Sequence, residues 1–437
     1  MRSKRQLQNS LRRTISRAAT LAPMIVVVLA LILIFTQPAL AQNFQVIWNF
    51  TGGQDGAAPT AGLTLDRAGN LYGTASYGGN RAGPCWENGC GTVFKLTHKN
   101  SDWVLTPLYS FAAGNDGAEP TSRVVFGPDG SLYGSTSSGG NGFGTIFNLR
   151  PAATVCKTAL CPWTETPLYQ FAGGSDSADP GQGDLVFDRA GNLYGTTMEG
   201  GPGCNGFGCG TVFVLTPAHG GWTESVLYRF AGGSDGANPN AGVILDSAGN
   251  LYGTTMEGGL GYGTVYQLKP SASGWTEQVL YSFTAGNDGY DPMGGLIFDG
   301  LGNLYGTALS GGAGGGGTAF ELTPSEGSWN FILLYNFGGM AYPKSSLMMD
   351  AAGNLYGTTF HGGSGRGLCP PGGPGCGTVY RLTPSPSGWN YTELHSFDVN
   401  DGAAPSGGVV MDTKGNLYGT AASGGGNGFG VVWEIEP

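Results

Sequence analysis

The sequence predicts an all-β fold, a seven-bladed β-propeller of four-stranded blades, on three observations. Seven copies of Gly-Asn-Leu-Tyr-Gly-Thr or a close variant place tyrosines at Tyr72, Tyr133, Tyr194, Tyr252, Tyr305, Tyr356 and Tyr418. Their spacing of 51 to 62 residues is too long for a β-solenoid coil and suits one propeller blade. Glycine supplies 82 of 437 residues while charged residues make up only 11%, a composition for turns and close backbone contacts rather than for helices or charged disorder.

The chain opens with Arg2, Lys4, Arg5, Arg12, Arg13 and Arg17, an apolar run from Met24 to Phe35, and Ala39-Leu40-Ala41. This reads as a secretory signal peptide over residues 1–41, followed by a single domain over 42–437. The 12-residue apolar run is short against the roughly 20 residues that cross a bilayer, so no membrane span is expected after cleavage. The expected location is therefore periplasmic or extracellular. Without the six leader basics, 14 Lys and Arg face 30 Asp and Glu, a formal charge of −16. Nucleic acid is then excluded as an expected partner, because phosphate binding needs clustered cations.

Within each unit four strand-like segments follow one another, as at Gly242–Asp246, Asn250–Thr255, Gly263–Leu268 and Trp275–Phe283. We term them A, B, C and D, with A innermost. In the D segment Trp275, Tyr281 and Phe283 share one parity and are expected on one strand face, with Leu280 on the other. The recurring Trp103, Trp163, Trp222, Trp329 and Trp389 are read as inter-blade packing rather than as a sugar-binding ladder. The segment Val46–Phe50 resembles a lone D strand, and the chain ends in a C-like segment, Gly430–Ile435. The N-terminal strand is therefore expected to complete the last blade, although a phasing with seven contiguous blades also fits.

Eight cysteines fall into four local pairs: Cys85 with Cys90, Cys156 with Cys161, Cys204 with Cys209, and Cys369 with Cys376. In an exported chain this pattern predicts four small disulfide loops.

Candidate functional residues lie where D–A and B–C loops emerge together on one face. The D–A loops repeat Asp-Gly-Ala-x-Pro. Asp55, Asp116, Asp235 and Asp401 fit it, Asp176 and Asp288 stand in variants, and Gly338–Pro343 lacks it. These aspartates are expected to cap their own turns, with calcium or a hydroxyl-rich ligand as the rival use and no other cofactor implied. The B–C loops differ most between units: Glu199 and Glu257 add carboxylates and His361 an imidazole. Glu199 and Glu257 are the pair that could serve acid/base hydrolysis of a glycosidic bond. No metalloprotease, phosphate-loop or nucleophile-elbow motif occurs in a credible context. The expectation is a non-catalytic binder of a glycan, cell-envelope component or protein. The alternatives are a carbohydrate-active hydrolase or lyase using rim carboxylates, and a structural envelope protein.

Two motifs also carry a family resemblance. Asp-x-x-Gly-Asn-Leu-Tyr-Gly-Thr at Asp66 to Thr74 and Asp246 to Thr254, with Gly-Thr-Val-Phe/Tyr-x-Leu-Thr-Pro at Gly210 to Pro217 and Gly377 to Pro384, resembles the bacterial exported choice-of-anchor tandem-repeat GloVer-containing proteins. The resemblance spans residues 44 to 437 and implies an exported protein without assigned catalytic residues. The final Trp433–Pro437 carries no apolar tail, a departure from members with a C-terminal anchor.

Overall fold

The computed structural model describes residues 43–81, 83–85, 87–100, 102–151, 163–364, 369 and 374–437. The expected leader over 1–41 and the expected Cys156–Cys161 bridge lie outside these residues. Residues Phe44–Glu436 form one compact unit, and in it seven four-stranded antiparallel sheets follow one another, each ordered A-B-C-D. In the fourth blade the strands are Ile244–Leu245, Leu251–Thr255, Thr264–Ser271 and Gly274–Ser282.

The seventh sheet settles the phasing. Val410–Met411, Leu417–Ala421 and Val431–Glu436 supply A, B and C, and Asn43–Asn49 pairs outside them as D. Several contacts hold this closing strand: Gln45 Nε2 donates to Glu434 Oε2 at 2.8 Å, and Phe50 N to Gly430 O at 3.1 Å. Phe44 stacks on His395 of blade 6 at 3.5 Å, while fully buried Phe50 meets Phe94 of blade 1 edge-on at 5.2 Å. One terminal strand thus fastens three consecutive blades.

The repeated motif has a physical reading residue by residue. Asp246 closes the A–B turn by accepting the N–H groups of Ala248 and Asn250, the Asn250 amide and the Tyr252 hydroxyl. Burial works to raise its pKa, but these hydrogen bonds outweigh it and hold the carboxyl below its ordinary value. Leu251 is fully buried, and Tyr252 packs edge-on against Phe298 and Trp329 of the next blade. Gly253 leaves room for Tyr266, whose hydroxyl would sit 2.5 Å from a Cβ placed there. The final threonine stitches blades together. Thr74, Thr196 and Thr420 donate to carbonyls of Ser122, Ala241 and Ala61 in the following blade, the last across the closure at 2.8 Å.

One expectation is corrected. A β-bulge opposite Val265/Tyr266 pairs Val265 with Tyr281 but Tyr266 with Val279, so Leu280 is the extra residue and the alternation shifts by one. Trp275 therefore packs toward blade 3, in a cluster with Tyr194, whereas Leu280, Tyr281 and Phe283 pack together toward blade 5. The tryptophans remain inter-blade residues: Trp103 lies 5.8 Å from Tyr418 and Trp222 6.1 Å from Tyr133.

The seams between blades are filled in two ways. At one D-strand position Phe331, Tyr391 and Phe44 stack on Tyr281, Tyr335 and His395 of the preceding blade. In blades 2, 3 and 4 the equivalent residue is Glu165, Glu224 or Glu277, each with a buried Oε1 that finds no hydrogen-bond partner among the described residues. Burial, then the charges of Asp116, Asp176 and Asp235, push these carboxyls up to about 8, 7 and 7 respectively, with Arg229 partly offsetting the rise at Glu224.

Candidate functional site

The antiparallel order A-B-C-D brings the D–A and B–C loops to one face, around the mouth of a central cavity of about 950 Å³ lined by the A strands and the segments leading into them. The wall mixes apolar side chains, among them Val186, Ile244, Ile297, Met348 and Val410, with polar and charged ones, and it carries an ion pair, Arg123 with Asp184 of the next blade at 2.7 Å.

On this loop face, the residue before the proline of each D–A loop joins neighbouring blades. Ala58, Glu119, Asp179, Asn238, Asp291, Tyr342 and Ala404 all have φ between 50° and 57°. A left-handed conformation is unfavourable for most side chains and more so before proline. Its repetition in all seven blades has a structural cause. The N–H of each residue reaches the B–C loop of the preceding blade, as from Glu119 to Cys90 O at 2.9 Å and from Asp179 to Phe143 O at 3.0 Å. The carbonyl accepts from the B–C loop of its own blade, as from Ser137 N and Met198 N. The disulfides Cys85–Cys90, Cys204–Cys209 and Cys369–Cys376 hold three of the loops that receive this stitch, through the carbonyls of Cys90, Cys209 and Cys376.

The aspartates singled out in the sequence sit inside their own loops. Asp116 accepts from Tyr109 Oη, Ala112 N and Gly114 N; Asp176 from Tyr169 and Ala172; Asp235 from Tyr228 and Ala231. Asp288 accepts from Tyr281, Thr284 and Gly286, and Asp55 from Trp48 and from both the backbone N–H and the hydroxyl of Thr51. Asp401 bonds His395 Nε2 at 2.9 Å and accepts from Asp398 N. Among the described residues no three His, Cys, Asp or Glu side chains gather as a metal-holding group.

Glu199 and Glu257 stand in B–C loops of adjacent blades, and each faces an aspartate of the left-handed ring. Burial and then the charge of Asp179 raise the Glu199 carboxyl, and Asp179 is itself raised by burial. Asp291 is raised by burial and then by Glu257. The two carboxylate couples therefore lie on blade 3 and across blades 4 and 5. His361 lies on blade 6 in an aromatic group, 4.7 Å from Phe360 and 5.8 Å from Tyr342. Burial lowers its pKa, a hydrogen bond to Gly375 O works upward, and the charge of Lys344 works downward.

Sequence reading passed over two features of this face. The left-handed residues were hidden because proline argues against that conformation. The exposed aromatics had a visible signal, Asn-Gly-Phe-Gly at 141–144, 205–208 and 427–430, and Gly-Tyr-Gly at 261–263. These put Phe143, Phe207, Tyr262 and Phe429 in solvent, Phe207 with 71% of its surface accessible.

The fold recurs in solved structures at low identity. The extracellular domain of a hybrid two-component system of B. thetaiotaomicron aligns with a TM-score of 0.53 at 11% identity, over 90% of this chain and 39% of that one. A protein of Bacteroides fragilis NCTC 9343 named as a 6-phosphogluconolactonase aligns with a TM-score of 0.51 at 14% identity, over 82% and 88%. These likenesses establish the propeller architecture. No curated protein gives a significant match. The model of the Gloeobacter/Verrucomicrobia repeat matches residues 33–207 and 180–368, and the chain belongs to that repeat family.

Proposed function

We propose that this protein is an exported, non-catalytic recognition module that binds a glycan across its D–A and B–C loop face. The observation that carries this reading is where its exposed apolar side chains lie. Of 11 exposed large hydrophobic residues among those described, eight (Tyr77, Phe143, Phe207, Leu260, Tyr262, Met340, Val399 and Phe429) belong to these loops. Clustered apolar exposure on a rigid scaffold marks an interaction surface. Aromatic faces interspersed with the carboxylates of Asp179, Glu199, Glu257 and Asp291 suit a polyhydroxylated ligand, which stacks its C–H faces on the rings and donates hydroxyls to the acids.

The leader-like residues 1–41 and the three disulfides support export, since disulfides persist in oxidising compartments. Among the described residues no helix is long and apolar enough to cross a membrane. The test is a binding screen of residues 42–437 against cell-envelope and plant polysaccharides, with and without calcium, with bound ligands analysed for cleavage. Binding without turnover, weakened by Phe207→Ala and Tyr262→Ala, is the expected result. Turnover lost in Glu199→Gln or Glu257→Gln would replace this reading with a hydrolase or lyase. Failure to bind any glycan would leave a protein partner or a structural envelope role.

A further inference from the structure

Blade 6 departs from its siblings at the cavity mouth. Its D–A loop, Gly338–Pro343, has no capping aspartate, and its left-handed residue is Tyr342. The residue after the loop proline is Thr60, Thr121, Gly181, Asn240, Met293 or Ser406 elsewhere, and Lys344 here. Lys344 lines the cavity with its Nζ 4.3 Å from the centroid of the Phe360 ring. Among the described residues no carboxylate lies within 4 Å of that ammonium.

The other cation of the cavity, Arg123, is already neutralised by Asp184. Asp350 and Asp412 line the far end, where each closes its own A–B turn. Burial lowers the pKa of Lys344, as expected for a cation without a counterion. Thr60, Thr121, Ser346 and Ser406 line the same cavity, and their hydroxyls bond Ser76 Oγ, Gly181 O, Gly295 N and Thr60 O within the wall. Carboxylates on the same loop face, Asp179 with Glu199 and Glu257 with Asp291, disfavour a polyanion.

We propose that the cavity mouth beside Lys344 takes the single carboxylate of an otherwise neutral, hydroxyl-rich ligand, a sugar acid at the end of or branching from a glycan. The Lys344 ammonium lies over the Phe360 ring, and the carboxylate of the sugar acid supplies the counterion that this cation lacks. The inference rests on the glycan reading above and deepens it.

The test compares glucuronate, glucose and inorganic phosphate by ligand-observed NMR titration on residues 42–437 of the wild type, Lys344→Met, Lys344→Gln and Lys344→Arg. Melting temperature and circular dichroism serve as the folding check, and two neutral variants guard against one that folds poorly. A charge-assisted bond in a partly desolvated site predicts glucuronate binding roughly 10-fold or more tighter than glucose. Both neutral variants should reduce it to the glucose level, and Lys344→Arg should restore part of the difference. Equal binding of glucuronate and glucose, or an unchanged preference in the neutral variants, overturns this inference and leaves glycan recognition standing. Phosphate binding that depends on Lys344 without saccharide binding overturns the sugar-acid assignment in favour of a free-anion pocket. Absence of all three, together with a negative polysaccharide screen, overturns both readings.

Discussion

Replacing Glu165 with Gln should make the protein more stable at pH 8.5 and change it far less at pH 5. Glu165 sits in the seam between blades 1 and 2, where burial and the charge of Asp116 move its carboxyl from 4.5 to about 8. Because the folded-state value lies above the unfolded one, the associated stability is complete below about 4.5 and is lost as pH rises through about 8. That displacement corresponds to ~4.8 kcal/mol without screening, and water reaching a half-buried side chain leaves about half, ~2 kcal/mol. Glutamine keeps the shape and neutrality of the protonated acid, so it retains that ~2 kcal/mol at high pH. Glu224 and Glu277, each raised to about 7, follow the same sign with ~1.5 kcal/mol each. Urea denaturation of wild type, the three single variants and the triple variant at pH 5 and 8.5 measures these differences. A gain equal at both pH values would refute the argument by showing a packing effect, and a loss at pH 8.5 would refute it outright.

Other perturbations test the fold and the face separately. Deleting residues 43–50 removes the outer strand of blade 7 together with fully buried Phe50, and should cost about 5 kcal/mol or more, visible as a large fall in melting temperature. Gly253→Ala forces a methyl against the buried Tyr266 hydroxyl and should cost roughly 1–3 kcal/mol by denaturant titration. Thr420→Val removes the closing stitch to Ala61 O and should cost about 1 kcal/mol in the same assay. The double variant Phe207→Ala/Tyr262→Ala should change stability by less than about 0.5 kcal/mol while weakening glycan binding, because both rings are exposed.

Architecture was legible because it is written in period and chemistry that repeat. The tyrosine spacing gave seven units, and a D-like strand at the start with a C-like strand at the end implied a shared last blade, which Asn43–Asn49 forms. Strand faces were less legible. Alternation assumes a regular pleat, and the bulge at Leu280 moves Trp275 to the opposite side from Tyr281. The shared loop face was legible, but the geometry of its residues was not. The aspartates stand out because they repeat, and they repeat because each caps its own loop, as Asp116 does. The ring formed by Glu119, Asp179, Asn238, Asp291 and Tyr342 varies in type, and its left-handed conformation comes from hydrogen bonds between blades that no local sequence window contains. The half-buried glutamates were equally hidden, since alternation reads Glu165 as one more polar residue in a strand and only the neighbouring blade makes it unusual.

Hydrogen exchange of residues 42–437 with and without a glycan identified by the screen tests the central claim most directly. Slowed exchange confined to the D–A and B–C loops, around Tyr77, Phe143, Phe207, Tyr262, Tyr342 and Phe429, is the predicted result. Protection centred on the A–B turns near Asp246 and Leu301, with these loops unchanged, would contradict it.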